Sequence, residues 1–206
     1  MTAYERHPPH PTGGTLETIA GPMFSGKTEE LLRRMRRAVL AKQHVMLFKP
    51  IQDDRHNTTD VVSHDARRQE ARAVPSAKAL EAAVQASEQR PNLVGIDEVQ
   101  FFELAIVDVC NRLADSGIRV MVAGLDLDYL GRPFGPMPLL LAHSEYVTKL
   151  HAICSRTGGP AHFSHRIEGG ENDVQIGGAE SYEALARAPY NEAVVRDHHR
   201  DAAPAS

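Results

Sequence analysis

The chain has 206 residues, 27 acidic against 23 Lys and Arg, a formal charge of −4, and 42% hydrophobic and 24% charged residues. That composition is ordinary for a soluble globular protein, and its acidic balance argues against nucleic acid as the main partner. No apolar run reaches the length of a bilayer span, and two cysteines, Cys110 and Cys154, are too few for a disulfide framework, which fits a reducing compartment.

In chain order, the opening MTAYERHPPHPTGG is rich in Pro, His and Gly and lacks the apolar region of a secretory signal. Residues 1–14 are therefore expected to be an unanchored arm, and the protein cytoplasmic. TLETIA reads as a short strand that runs into a Gly-rich turn. TEELLRRMRRAVLAK reads as a helix, because Leu31, Leu32, Met35, Val39 and Leu40 recur at helical spacing. HVMLFKP is a buried strand ended by Pro50, and SAKALEAAVQASEQ is a helix with Ser76 as its N-cap. NLVGIDE is a second apolar strand, LAIVDVCNRLADSG a helix closed by Gly117, and IRVMVAGLD a third apolar strand. Strands alternating with helices predict an α/β fold over 15–150, a parallel sheet with helices on both faces. After Lys149 the chain becomes dense in Gly and His, which predicts a small second unit over 151–190 and an unanchored tail over 191–206.

GPMFSGKT fits the phosphate-loop pattern G-x-x-x-x-G-K-[ST] and sits between the first strand and the first helix. Gly21 and Gly26 let the loop turn so that its N–H groups, those of Met23, Phe24 and Ser25 among them, face phosphate oxygens, while Pro22 contributes loop shape without an N–H. Lys27 reaches the β- and γ-phosphates, and the Thr28 hydroxyl can ligand Mg²⁺. The dipole of the following helix adds to this field. The motif specifies a nucleoside triphosphate and leaves ATPase, GTPase and kinase open.

The strand NLVGIDE ends in two acids, Asp97 and Glu98, at the sheet edge where parallel sheets bind ligands. Side chains of adjacent residues on an extended segment point to opposite sides, so the two carboxylates are expected to divide the work. Asp97 suits the Mg²⁺-associated role, and Glu98 is free to take a proton from an attacking oxygen. If the acceptor is water, the protein is an ATPase; if a hydroxyl, a kinase. Leu125, Tyr129 and Phe134, in GLDLDYLGRPFG, offer apolar and aromatic walls at the same edge, which suit a flat ring better than water. Two other readings remain: a RecA-like ATPase with a macromolecular partner, and a nucleotide-binding regulator without turnover.

GPMFSGKTEELLRRMRR, GIDEVQFF, GLDLDYLGRPFG and VQIGGAESYEA together resemble the human-type (type II) thymidine kinases in order and spacing, from about Thr15 to Tyr190. The resemblance implies a P-loop, RecA-like domain with a small C-terminal lasso domain. It implies transfer of the γ-phosphate of ATP to the 5′-hydroxyl of thymidine or deoxyuridine, in deoxynucleoside salvage. Position by position, Glu98 falls on the catalytic base and Asp97 on the Mg²⁺-associated acid. Phe101, Leu125, Tyr129 and Phe134 fall on the thymine pocket, and Asp53 and Arg55 on a D-x-R motif near the phosphates. Ser164 falls near the base. Val174, Gln175, Ile176, Gly177 and Gly178 fall on the lasso that reads the thymine edge, with Tyr182 beside the substrate. A homotetramer inhibited by dTTP is implied too.

One departure is plain. The family's small domain carries a zinc held by four cysteines; here those places hold Cys154, Thr157, Ala186 and Pro189. One thiolate cannot make a tetrahedral structural site, so no zinc is expected. His151, His162 and His165 lie nearby, but H-x-x-H on an extended segment would put His162 and His165 on opposite faces. Packing or oligomerisation must then hold this unit.

Overall fold

The computed structural model describes residues 13–51, 60–62, 68–167 and 181–201, with 60–62, 68–70 and 196–201 as main chain only. Its elements are β1 (Thr15–Ala20), α1 (Lys27–Leu40), β2 (Val45–Pro50), β3 (Asp60–Val62), β4 (Arg68–Glu70), β5 (Arg72–Val74), α2 (Ala77–Gln85), β6 (Leu93–Ile96), α3 (Ala105–Asp115), β7 (Arg119–Gly124), α4 (Met137–His143) and β8 (Tyr146–Lys149). Then come β9 (Ala152–Ile153), β10 (Pro160–Ala161), β11 (Phe163–Arg166), β12 (Tyr182–Leu185) and α5 (Arg187–Asp201).

Six strands form one sheet in the order β5-β2-β6-β7-β1-β8. Every pairing in it is parallel. Both faces are covered, and the alternation of side chains along each strand divides the core in two. Val120 and Val122 of β7 join Leu16, Phe48 and Ile96 under α2, α3 and α4. Met121 and Ala123 join Ile19 and Leu47 under α1, where Leu31, Leu32, Met35 and Ala38 are buried; Val39 and Leu40, expected on that stripe, lie in the last turn and are 48% and 81% exposed. Burying each such Leu, Ile or Phe contributes about 1.5–3 kcal/mol.

The expected α/β architecture is the one observed. Ser76 does cap α2, its side chain accepting the Ala79 N–H. Sequence patterning does not announce β5, β8 or α4. β5 is three residues long, and β8 pairs only with β1, so its half-exposed pattern carries little apolar signal. The tail expected from residue 191 is corrected: α5 continues to Asp201, with Tyr190 and Ala193 buried. Among its described side chains, Tyr190, Ala193 and Val194 pack on the apolar cluster.

Beyond the sheet, β9 pairs with β10 and β11 with β12, both antiparallel. These strands and α5 enclose an apolar cluster of Ala152, Cys154, Ala161, Phe163, Ala184, Leu185, Tyr190 and Ala193, with Ala186 packed against it. The Phe163 and Tyr190 rings stack with centroids 4.4 Å apart. Of the four positions that hold zinc ligands in the resembled family, Cys154 and Ala186 thus belong to an apolar core.

Candidate active site

The parallel sheet brings the carboxyl ends of β1, β6 and β7 to one edge, with β7 between the other two. The loop after β1 leads straight into α1, whose N-cap Gly26 is left-handed at φ 81°. Phe24, at φ 63°, is also left-handed and 46% exposed. For a bulky residue that conformation costs on the order of 1 kcal/mol, the kind of strain that clusters at ligand sites. Lys27 Nζ donates to the Pro22 carbonyl at 2.8 Å, and Ser25 Oγ to the same oxygen at 2.7 Å. Burial lowers the proton affinity of Lys27, opposed by the charges of Glu98, Asp97, Asp126 and Glu29.

β6 delivers its acids to this loop. Thr28 Oγ1 donates to Asp97 at 3.0 Å (Oδ2) and 3.3 Å (Oδ1), joining the phosphate loop to the strand end. Asp97 is buried, and burial, then the neighbouring Glu98 charge, pushes its pKa up to about 7; the Thr28 and Glu98 N–H hydrogen bonds and Lys27 pull it the other way. A buried carboxylate beside a hydroxyl, facing a phosphate loop, is a donor set that fits Mg²⁺. Glu98 is half-buried.

The two carboxylates do not sit on the extended segment expected from sequence. β6 ends at Ile96, and Glu98 is left-handed at φ 52°, ψ 38°, opening a 3₁₀ turn over Val99–Phe101. Asp97 accepts from the Thr28 hydroxyl and Glu98 from the Gln100 amide, and the Glu98 charge still bears on Asp97. The turn also presents Phe101 to Phe134, edge to face at 5.5 Å. Leu125 follows β7 directly and is half-buried.

Ser164 reaches the loop itself: its Oγ accepts the Met23 N–H at 2.9 Å. Arg166, two residues on in β11, lies over the Tyr129 ring at 4.0 Å, and Tyr190 Oη donates to the Tyr129 carbonyl at 3.0 Å. Tyr182 sits opposite Arg166 in the β11–β12 register. Asp53, Arg55, Val174, Gln175, Ile176, Gly177 and Gly178 lie outside the described residues.

The family model described as thymidine kinase matches residues 14–190. This chain belongs to the thymidine kinase family. It is 51% identical over 174 residues to the thymidine kinase of Rhodothermus sp. (strain ITI 518), covering 84% of this chain and 80% of that one. Against the thymidine kinase of Bacteroides fragilis (strain ATCC 25285) the identity is 46% over 187 residues, covering 91% and 92%. Against that of Deinococcus radiodurans it is 47% over 192 residues, covering 87% and 91%.

Two residues of this thymidine kinase family site escaped the sequence reading. Gln100, buried inside the 3₁₀ turn, hydrogen-bonds both Glu98 and the Leu125 N–H. Its signal was available, a lone amide between apolar neighbours in GIDEVQFF. Asp126, also buried, stands 2.8 Å from Lys149 Nζ. Among the described residues its carboxylate oxygens accept no well-aligned hydrogen bond, so the contact is an ion pair. The histidines diverge: His162 packs on His151 with centroids 4.4 Å apart, while His165 pairs with Glu183 at 3.0 Å. The four places that hold zinc ligands in the resembled family carry Cys154, Thr157, Ala186 and Pro189, a donor set with one thiolate that does not fit a tetrahedral zinc. No helix among the described residues is long and apolar enough to cross a membrane.

Proposed function

We propose that this member of the thymidine kinase family transfers the γ-phosphoryl group of ATP to the 5′-hydroxyl of thymidine or deoxyuridine. The observation that carries the reading is the join of Thr28 to Asp97, next to Glu98 in its left-handed turn. It supports reading the loop as the phosphate site, Asp97 as the cation-binding acid and Glu98 as the proton acceptor.

The amides of the loop Gly21–Gly26 hold the phosphates, and Lys27 neutralises charge on the β- and γ-phosphates. Thr28 and Asp97 would hold Mg²⁺, which when bound would offset phosphate charge. Glu98 accepts the proton of the 5′-hydroxyl while that oxygen attacks the γ-phosphorus and ADP leaves. Phe101, Leu125, Tyr129 and Phe134 wall the base, Ser164 and Tyr182 border it, and Val174–Gly178 reads its edge through backbone groups. Asp53 and Arg55 act near the phosphates. By the same family reasoning the protein is a cytoplasmic homotetramer inhibited by dTTP, working in salvage without structural zinc.

The test is product identity. With γ-labelled ATP, Mg²⁺ and thymidine, the label is expected in thymidine 5′-monophosphate. Label released only as inorganic phosphate, at a rate indifferent to thymidine, would establish an ATPase instead.

A further inference from the structure

Gln100 is 2% exposed and amidst apolar neighbours, yet its side chain is fully engaged. Nε2 donates to Glu98 Oε2 at 2.6 Å, and Oε1 accepts the Leu125 N–H at 3.1 Å. The amide's orientation is unambiguous, because an ionised carboxylate can only accept and a backbone N–H can only donate. The surrounding backbone is shaped to this side chain. A Cβ at Gly124 would stand 2.6 Å from Gln100 Oε1. One at Gly135, where φ is 48°, would stand 2.4 Å from the Gln100 carbonyl oxygen. Glycine at both positions lets the turn seat against β7 and against the loop that carries Phe134.

We propose that Gln100 is a positioning residue for Glu98, holding the carboxylate in register with the wall formed by Leu125, Phe101 and Phe134. This rests on the reading of Glu98 as the proton acceptor. Glu98 sits in a left-handed conformation, which persists only where its surroundings over-determine it. The Phe101 N–H donates to the Glu98 carbonyl and the Glu98 N–H to Asp97 Oδ1. These bonds fix the main chain. Among the described contacts, the Gln100 amide is what fixes the carboxylate. One amide thus touches both the proton acceptor and the backbone of β7's end, so the acceptor cannot swing without disturbing the substrate wall.

The experiment compares kcat, and KM for ATP and thymidine, in the native protein, Gln100→Met, Gln100→Glu and Glu98→Gln at pH 7.5. Gln100→Met keeps the length and loses the donor. Its kcat is expected to fall about ten- to a hundredfold, the scale of one charge-assisted hydrogen bond, with KM for ATP unchanged. Gln100→Glu keeps the size but sets a second carboxyl against Glu98, so its kcat is expected to fall at least as far, again with KM for ATP unchanged. A native kcat in Gln100→Glu, or a rise in KM for ATP that parallels the kcat loss in either variant, would reduce Gln100 to a packing residue and overturn the proposal. Native kcat in Gln100→Met with Glu98→Gln inactive would overturn it alone. Native turnover in Glu98→Gln would instead remove the proton-acceptor reading on which it rests. If Gln100→Met does not fold, the kinetics of the near-isosteric Gln100→Glu decide.

Discussion

The helix that carries Lys27 and Thr28 is pinned to the sheet by a buried ion network, and its removal has a calculable effect. Arg34, 4% exposed in its side chain, places Nη1 3.1 Å from Oε2 of Glu17, itself 3% exposed on β1. Its Nε donates to Glu30 at 2.7 Å and its Nη2 to Thr148 of β8 at 2.8 Å. Arg119 of β7 holds the other oxygen of Glu17. Arg34→Met leaves Glu17 buried with one partner instead of two. Breaking a buried pair costs about 3–5 kcal/mol, and the surviving Arg119 places the expected loss near 3 kcal/mol. That is a large share of the roughly 5–15 kcal/mol that holds a domain together. Urea unfolding at fixed protein concentration should show a midpoint lowered by about 1–2 M with an unchanged slope. The double variant Glu17→Met, Arg34→Met removes this pair but leaves Arg119, 23% exposed, without Glu17, so it should recover part of the loss. A loss below about 1 kcal/mol in the single variant, or a double variant as unstable as the sum of its parts, would refute the reasoning.

Further outcomes follow from the site. Asp97 is raised to about 7 and must ionise to ligand a cation, so Mg²⁺–ATP binding should weaken as pH falls below about 7. Asp97→Asn should bind more weakly throughout and lose that dependence, which titration calorimetry from pH 6 to 8 checks. Ser164→Ala removes the acceptor of the Met23 N–H. It should lower Tm by about 2–4 °C, roughly one hydrogen bond in a protein of this size. Saturating Mg²⁺–ATP should narrow the difference, because phosphate then takes the same N–H. Elemental analysis of the purified protein should find no stoichiometric zinc; one zinc per chain would refute the account of the C-terminal unit.

The parts of this protein that were legible in the sequence are those whose physics is local. The phosphate loop, the Ser76 cap and the apolar stripe of α1 each sit within a few residues, and the strand-helix alternation orders the sheet. The delivery of Asp97 and Glu98 to the loop's edge follows from parallel topology. What stayed hidden depends on chain segments meeting. Ser164 meets Met23 across 141 residues, and Gln100 acts only because β7 returns Leu125 beside it. The left-handed turn at Glu98 gave no signal, since Glu has no preference for that conformation. α5 was missed because its sequence, RAPYNEAVVRDHHRD, carries few apolar residues at helical spacing.

The central claim is that Glu98 activates a nucleoside hydroxyl against the phosphate held by the loop. Its most direct measurement is ADP release from Mg²⁺–ATP, with and without thymidine, on the native protein and on Glu98→Gln. The account predicts release that requires thymidine and falls on the order of 10²–10⁴-fold in the variant. Release that ignores thymidine, or that persists at the native rate in Glu98→Gln, would contradict it.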